Sequence, residues 1–432
     1  MSVDKNQNIT RREQISFGLG DFAINGMFTF SSSYLMYFYT DYAKLGLELI
    51  SIILILGRMI DAVASVCFGN VMDRNIGVDG KCRPMIRRLA LPLVIMFVLS
   101  FFLPAAWPAE IKSLCAILFY SIFSICYAGV NVPYSAMLSV MTEDDNQRLS
   151  FNVAKNVGSG AGAVIVSSIT LTLVAVFEKK FRNPFATVAL LFAVVAGLLL
   201  YICVKNTRER VTLDKGQEIT DKGAAWRSML HNRPFVIFCI VMFTEMTYMI
   251  MHNQATIYYA KYYLKSEAVG SILLANTPLA CALVAFVLPN VVKRIGLKQS
   301  VMLGNLLIAA SLALTKIVGG NMIAVVALSL VTSVGWAFAT GMVFVIVAKT
   351  IDIAKEKDGL NLQGIMTSII TFLMKEGVAI AGFICPLIMS AGGYEADAPV
   401  TDALLRAIDI NFIYVPMILA VLMAVVMKFF DE

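Results

Sequence analysis

Seven side chains able to carry charge interrupt long apolar stretches of this chain: Asp21, Arg58, Asp61, Glu245, His252, Lys375 and Glu376. Each offers chemistry that the surrounding Leu, Ile, Val, Phe and Met do not. A carboxylate accepts strong hydrogen bonds from hydroxyl groups and can take up or release a proton. An ammonium can stand as its counter-charge, and an imidazole changes charge between about pH 5 and 8. Arg58 and Asp61 are three residues apart and share one helical face, which makes a structural ion pair the simple reading. Glu245, Met249 and His252 follow at spacings of four and three on one stripe. That stripe suits solute binding, a proton relay or a locked polar network between helices, and the network is the favoured reading. Glu376 lies about 100° round its helix from Lys375 and faces another partner.

The stretches that carry these groups define their surroundings. Of the 432 residues, 59% are hydrophobic and 15% charged, against roughly 25% charged in an ordinary soluble domain. A soluble core cannot hide so much apolar surface. Crossing hydrocarbon takes about 20 mostly apolar residues, and such runs recur at 16–40, 47–71, 89–107, 111–141, 157–177, 185–204, 235–260, 268–289, 300–318, 321–348, 362–391 and 408–429. An all-α membrane protein with twelve transmembrane helices is expected. An ionisable group inside such a helix costs a few kcal/mol and therefore faces a cavity or a partner. The opening MSVDKNQNITRR is polar, and the first apolar run contains Asp21 and lacks a small-residue cleavage pattern, so no signal peptide is expected.

The net charge of +6 does not point to nucleic acid, because the basic residues alternate between loops. Lys5, Arg11 and Arg12 precede the first run; Arg74, Lys81, Arg83, Arg87 and Arg88 follow the second; Arg208, Arg210, Lys215, Lys222, Arg227 and Arg233 fill the central loop. Lys179, Lys180 and Arg182 break the pattern. By the positive-inside rule both termini are expected in the cytoplasm, with the chain multi-pass in the cell inner membrane. The longest polar interval, 205–233, separates an N-terminal six-helix bundle (1–204) from a C-terminal one (234–432). Two six-helix halves joined by a cytoplasmic linker is the major facilitator plan, in which the solute path runs between halves.

Other chemistries find little support. Seven of the eight cysteines (Cys67, Cys115, Cys126, Cys203, Cys239, Cys281, Cys385) fall in apolar runs without paired spacing, which suits packing. Two histidines without a neighbouring thiol or carboxylate cluster make no zinc site, and no metal or cofactor is expected. Gly158, Gly160 and Gly162 punctuate a helix, where they suit close packing rather than a phosphate cradle. GVDGKC lacks the upstream glycine and the Ser or Thr that a nucleotide loop needs after its lysine. An enzyme would need clustered nucleophile and base groups or a soluble domain, and neither is in the sequence.

Several motifs occur in a telling order. GLGDFAINGMFTFSSSYLMYFYTDY is followed by GRMIDAVASVCFGNVMDR and then NIGVDGKCRP, which holds Gly69, Asp73 and Arg74 ahead of Gly80, Lys81, Arg83 and Pro84. NVPYSAM, YYAKYYL and KTIDIAKEKDGLNLQG come later. Together they resemble the glycoside–pentoside–hexuronide:cation symporter family, of which the melibiose permease is a member, over most of the chain.

The resemblance implies roles residue by residue. Asp21 stands where the family has a carboxylate that accepts from two sugar hydroxyls. Asp61 corresponds to a cation-site aspartate, with Lys375 close by as counter-charge and Arg58 and Ser65 in the same set. Tyr127 and Asn131, four apart on one helix face, fit a pyranose: a ring for its apolar side and an amide that donates and accepts. Lys155 stands where many relatives have arginine, and a lysine cannot form arginine's planar two-pronged bond. Thr371, one turn before Lys375, is a neighbour in the cavity. Asp73, Arg74, Asp352, Lys355 and Lys357 are expected to form ion pairs that close a cytoplasmic gate.

One departure from the family bears on the coupling ion. Sodium-using members commonly carry a second aspartate one turn after the first, whereas this chain has Ala64 and Ser65. Sodium prefers several hard oxygen ligands, and a proton needs one suitable carboxylate. The expectation is proton-coupled symport of a sugar, glycoside or uronide by a monomer, with sodium the lesser candidate. A facilitator or antiporter of an amphiphile, organic anion or drug is the alternative.

Overall fold

A computed structural model describes residues 9–74, 80–104, 106–142, 144–210, 222–341, 346, 350, 363–396 and 399–430. The chain divides into two compact units, Met1–Gly216 and Gln217–Glu432. The first contains α1 (Arg11–Tyr37), α2 (Leu47–Arg74), α3 (Arg83–Ser100), α4 (Ala109–Met141), α5 (Asp145–Glu178) and α6 (Pro184–Asn206). The second contains α7 (Lys222–His231), α8 (Arg233–Tyr262), α9 (Glu267–Ile295), α10 (Leu297–Val318), α11 (Met322–Thr340), α12 (Gln363–Ala391), α13 (Asp402–Asp409) and α14 (Val415–Val426). A π-helical turn, Ile410–Tyr414, joins α13 to α14 in one run, and another, Phe38–Tyr42, extends α1.

Among the described residues, ten helices are long and apolar enough to cross a membrane. The protein is therefore a multi-pass membrane protein. Two long helices fall outside that set by composition. α1 carries Gly18, Gly20, Asp21, Asn25 and Ser31–Ser33, and α3 has Arg83, Arg87 and Arg88 in its first turns.

Both units use one pairing scheme. In the first, α1 packs on α5 and α6, α2 on α4, and α3 on α4 and α6. In the second, α8 packs on α12 and α14, α9 on α11, and α10 on α11 and α14. Counting long helices only, with α13 and α14 as one run, the first of each unit thus meets the fifth and the sixth, the second meets the fourth, and the third meets the fourth and sixth. Internal repetition of this kind is a frequent basis of transporter folds.

Helix ends differ from the hydropathy runs wherever polar caps extend them. α3 begins at Arg83, six residues before the expected 89, with Pro84 in its first turn, and stops at Ser100 ahead of Pro104 and Pro108. Proline suits a helix start because the missing N–H has no intrahelical partner there. α5 begins at Asp145, where the Asp144 carboxylate accepts from Gln147 N at 2.9 Å, and not at 157. Within the expected linker, Lys222–His231 is helical. α11 ends at Thr340, short of the expected 348, and 342–345 and 347–349 lie outside the described residues.

Close helix approach explains the glycine pattern of α5. A Cβ on Gly158 would fall 1.9 Å from the Gly18 carbonyl oxygen, and one on Gly162 would fall 2.6 Å from that of Phe22. A Cβ on Gly160 would meet nothing within 4 Å. Two of the three glycines therefore let the α1 and α5 backbones touch, the usual means of holding membrane helices together without a hydrophobic driving force.

The segment after α6 ties the helix ends of the first unit. Glu209 accepts hydrogen bonds from the backbone N–H groups of Lys81, Cys82 and Arg83 at 2.8, 2.9 and 2.7 Å, capping α3. Gly80, at φ 90°, makes room for that carboxyl, which lies 2.4 Å from where a Cβ would stand. Arg210 holds the buried Glu13 carboxylate of α1 through both terminal nitrogens at 2.8 and 2.9 Å and donates its backbone N–H to Val140 of α4.

Candidate functional site

α1 presents Asp21, Asn25, Phe28 and Ser32 at steps of four, three and four, which align on one stripe of a 3.6-residue helix. Asp21 is buried to 7% exposure. Facing it from α5 are the Lys155 ammonium and the Ser159 hydroxyl. Asn25 Nδ2 donates to the Ser159 carbonyl at 3.0 Å, fixing the register of the two helices beside the carboxylate. Lys155 Nζ also lies 5.8 Å from the centroid of the Tyr134 ring of α4. Tyr134 is itself locked by a 2.6 Å hydrogen bond to the Phe17 carbonyl and by stacking on the Phe17 ring at 4.7 Å.

The lower part of the stripe meets α2 and α4. Arg58 Nη2 donates to Ser32 Oγ at 2.9 Å, and its guanidinium carbon lies 4.9 Å from the Phe28 ring centroid. Phe28 in turn stacks on Tyr127 at 5.9 Å, and Tyr127 meets Phe123 at 6.0 Å. The Tyr127 hydroxyl is within electrostatic reach of Asp61, Arg58 and Asp21. Asp61 is buried to 4% exposure, and Tyr120 lies within reach of both Arg58 and Asp61. The first unit thus gathers Asp21, Arg58, Asp61, Tyr127 and Lys155 from α1, α2, α4 and α5. Asn131, one turn after Tyr127, and Ser65, one turn after Asp61, are both partly exposed.

Chemically the cluster has two acids, two cations and, with Phe28 beside Tyr127, two aromatic rings. A polyhydroxylated solute uses all three: carboxylates accept from its hydroxyls, cations donate, and rings cover its C–H faces. Among the described residues, no three His, Cys, Asp or Glu side chains lie together as metal ligands would.

The remaining expected residues lie in the second unit or beyond description. Lys375 is partly exposed on α12; Thr371, one turn earlier, is exposed and donates to the Thr367 carbonyl at 2.9 Å. Glu376 is partly exposed on the same helix. Asp352, Lys355 and Lys357 lie outside the described residues, as do the side chains of Asp73 and Arg74.

Glu245 and His252 of α8 have separate surroundings. Glu245 is fully buried, and neither carboxyl oxygen makes a hydrogen bond with a described partner; Asn305 of α10, also fully buried with an unmatched Oδ1, is the polar side chain beside it. His252 Nδ1 meets the Phe412 carbonyl at 2.9 Å, and its ring stacks on Phe412 at 4.3 Å. A carbonyl only accepts, so Nδ1 is the nitrogen that carries the proton. The π-turn at Ile410–Tyr414 brings this carbonyl to α8.

Phe28, Ser32, Ser159 and Tyr134 are contacts the sequence reading did not single out. The first two were accessible from their spacing to Asp21, on the same turn-by-turn stripe. Ser159 and Tyr134 carried no signal of that kind, since their relation to Asp21 depends on how α4 and α5 pack.

Residues 16–431 match the family model described as MFS/sugar transport protein. The chain belongs to this family. This transporter is 30% identical over 425 residues to the isoprimeverose transporter of Lactiplantibacillus pentosus, covering 97% of this chain and 88% of that one. It is 28% identical to the glucuronide carrier protein homolog of Escherichia coli K12, covering 95% and 90%. Its fold is similar to that of the nucleoside transporter NupG, with a TM-score of 0.68 at 11% identity over 98% of this chain and 100% of that one. The sequence relatives and the structural neighbour are transporters, and the resemblance read from the motifs of helices 1 and 2 agrees with the family match.

Proposed function

We propose that this transporter is a proton-coupled symporter of a glycoside or uronide, working by alternating access between two six-helix halves of a twelve-helix body in the cell inner membrane, with both termini cytoplasmic. The carrying observation is the α1 stripe: Asp21 faces Lys155 and Ser159, and Tyr127 reaches Asp21, Arg58 and Asp61 together. A solute bound on that stripe lies within reach of the carboxylate assigned to coupling. Asp61 takes up the proton, Lys375 stands as its counter-charge, and Asn131 and Thr371 complete the solute contacts. One charge moving through 100 mV supplies about 2.3 kcal/mol, enough for about fiftyfold accumulation.

Lys155 and Arg58 offer donors to an acidic group, Asp21 and Asp61 offer acceptors to hydroxyls, and a uronide carries both kinds of group. Proteoliposomes with an imposed inward proton gradient and no sodium provide the test, using a panel of neutral glycosides and uronides. Uphill uptake of a panel member is expected, and Asp61→Asn abolishes accumulation while leaving exchange intact. Uphill uptake that appears only with a sodium gradient would overturn proton coupling. If no glycoside or uronide enters under either gradient, the reading gives way to a facilitator or antiporter of an organic anion or amphiphile.

A further inference from the structure

A groove of about 500 Å³ runs along the first unit where α1 begins and α6 ends. Its walls are apolar and outward-facing: Ile15 and Tyr201 are each 62% exposed, and the partly exposed Ile202 also lines it. At its polar end stand Arg12 and Lys205, both exposed, while Asn206 and the buried Ser16 close the floor through a 2.8 Å hydrogen bond. None of the residues lining it is acidic. The acid nearest in sequence, Glu13, is bound by both terminal nitrogens of Arg210 and is buried.

The position makes this combination meaningful. Arg12 is in the first turn of a long helix and Lys205 in the last turn of another, so both lie at the boundary where hydrocarbon gives way to headgroups. Tyr201 lies one turn inward, its ring 5.7 Å from Lys205 Nζ, as suits an aromatic at the membrane interface. Exposed Ile15 and Tyr201 beside two cations match a molecule that is apolar along most of its length and anionic at one end.

We propose that this groove is a binding site for one anionic phospholipid, its phosphate held by Arg12 and Lys205 and an acyl chain laid along Ile15, Ile202 and Tyr201. The occupant is a lipid rather than free phosphate because the groove wall is apolar and faces the surrounding bilayer. The proposal rests on the chain's spanning a membrane and on neither the solute nor the coupling ion.

Native mass spectrometry of the full chain tests it, in detergent with equal amounts of phosphatidylglycerol and phosphatidylcholine. About a tenfold or greater preference for phosphatidylglycerol in the first bound lipid is expected, given roughly 1 kcal/mol per basic residue near the surface. Arg12→Gln/Lys205→Gln should reduce that preference at least fivefold while leaving the Tm in phosphatidylcholine unchanged. Lys179→Gln/Lys180→Gln, with the same loss of charge elsewhere, should retain it. Tyr201→Ala is a second variant, expected to reduce the preference with no change in charge. Equal loss in the two double variants would show diffuse attraction and overturn the site, as would no preference in the wild type. A Tm rise with inorganic phosphate alone that equals the rise with phosphatidylglycerol would also overturn it.

Discussion

The Arg58 guanidinium of α2 lies over the Phe28 ring of α1 at 4.9 Å, and the same ring stacks on Tyr127 of α4 at 5.9 Å. One aromatic side chain thereby sets the positions of a cation and of a ring assigned to the solute. A cation over an aromatic face is worth about 0.5–2 kcal/mol. Phe28→Leu should therefore raise the solute KM about tenfold with little change in Tm, while Phe28→Tyr keeps both near wild type. A leucine variant with unchanged KM would remove Phe28 from the site.

Asp21 and Lys155 face one another across the α1–α5 contact. Removing the Lys155 ammonium strands the buried Asp21 carboxylate, whereas removing both charges does not. Asp21→Asn and Lys155→Gln should each lower the Tm, and the double variant should lose less than their sum by about 1–3 kcal/mol. Thermal unfolding in detergent measures this cycle. Additive losses would mean that the two groups do not interact.

The glycines of α5 allow a control within one helix turn. Gly158→Ala would place a methyl group 1.9 Å from the Gly18 oxygen, while Gly160→Ala would enter open space. The first should lower the Tm by several degrees or prevent stable expression, consistent with about 1–3 kcal/mol for overpacking. The second should be neutral. Equal behaviour of the two would contradict the backbone contact between α1 and α5.

Glu209 accepts from three consecutive backbone N–H groups. Hydrogen bonds to a charged group contribute about 1.5–3 kcal/mol each when nothing replaces them, and water replaces part of that at this partly exposed site. Glu209→Gln turns an amide N–H₂ toward donors and should lower the Tm by several degrees without altering the solute KM. A shift in KM with unchanged Tm would assign Glu209 to transport instead.

Long apolar runs are legible in sequence because hydropathy averages over many residues, and the ten apolar spans follow from it. Helix ends are less so. The first turns of α3 and α5 carry Arg83, Arg87, Asp145 and Arg148, which lower hydropathy although the backbone is helical. The chemistry was partly legible: a charged residue within an apolar run marks itself, which brought out Asp21, Arg58 and Asp61. Phe28 did not stand out, because a phenylalanine among phenylalanines differs only by its register. The π-turn that carries Phe412 to His252 was not legible at all, since a one-residue change of helical hydrogen bonding leaves no compositional trace.

The clasp of Glu209 and Arg210 also orders events at the ribosome. Chains grow from the N-terminus, so α1, α3 and α4 are made and inserted while the residues that fasten their ends are still untranslated. Only after position 210 has been added can Glu13, the start of α3 and the end of α4 be drawn together. A nascent chain halted after α6 would hold every helix of the first unit and still lack its closing stitch.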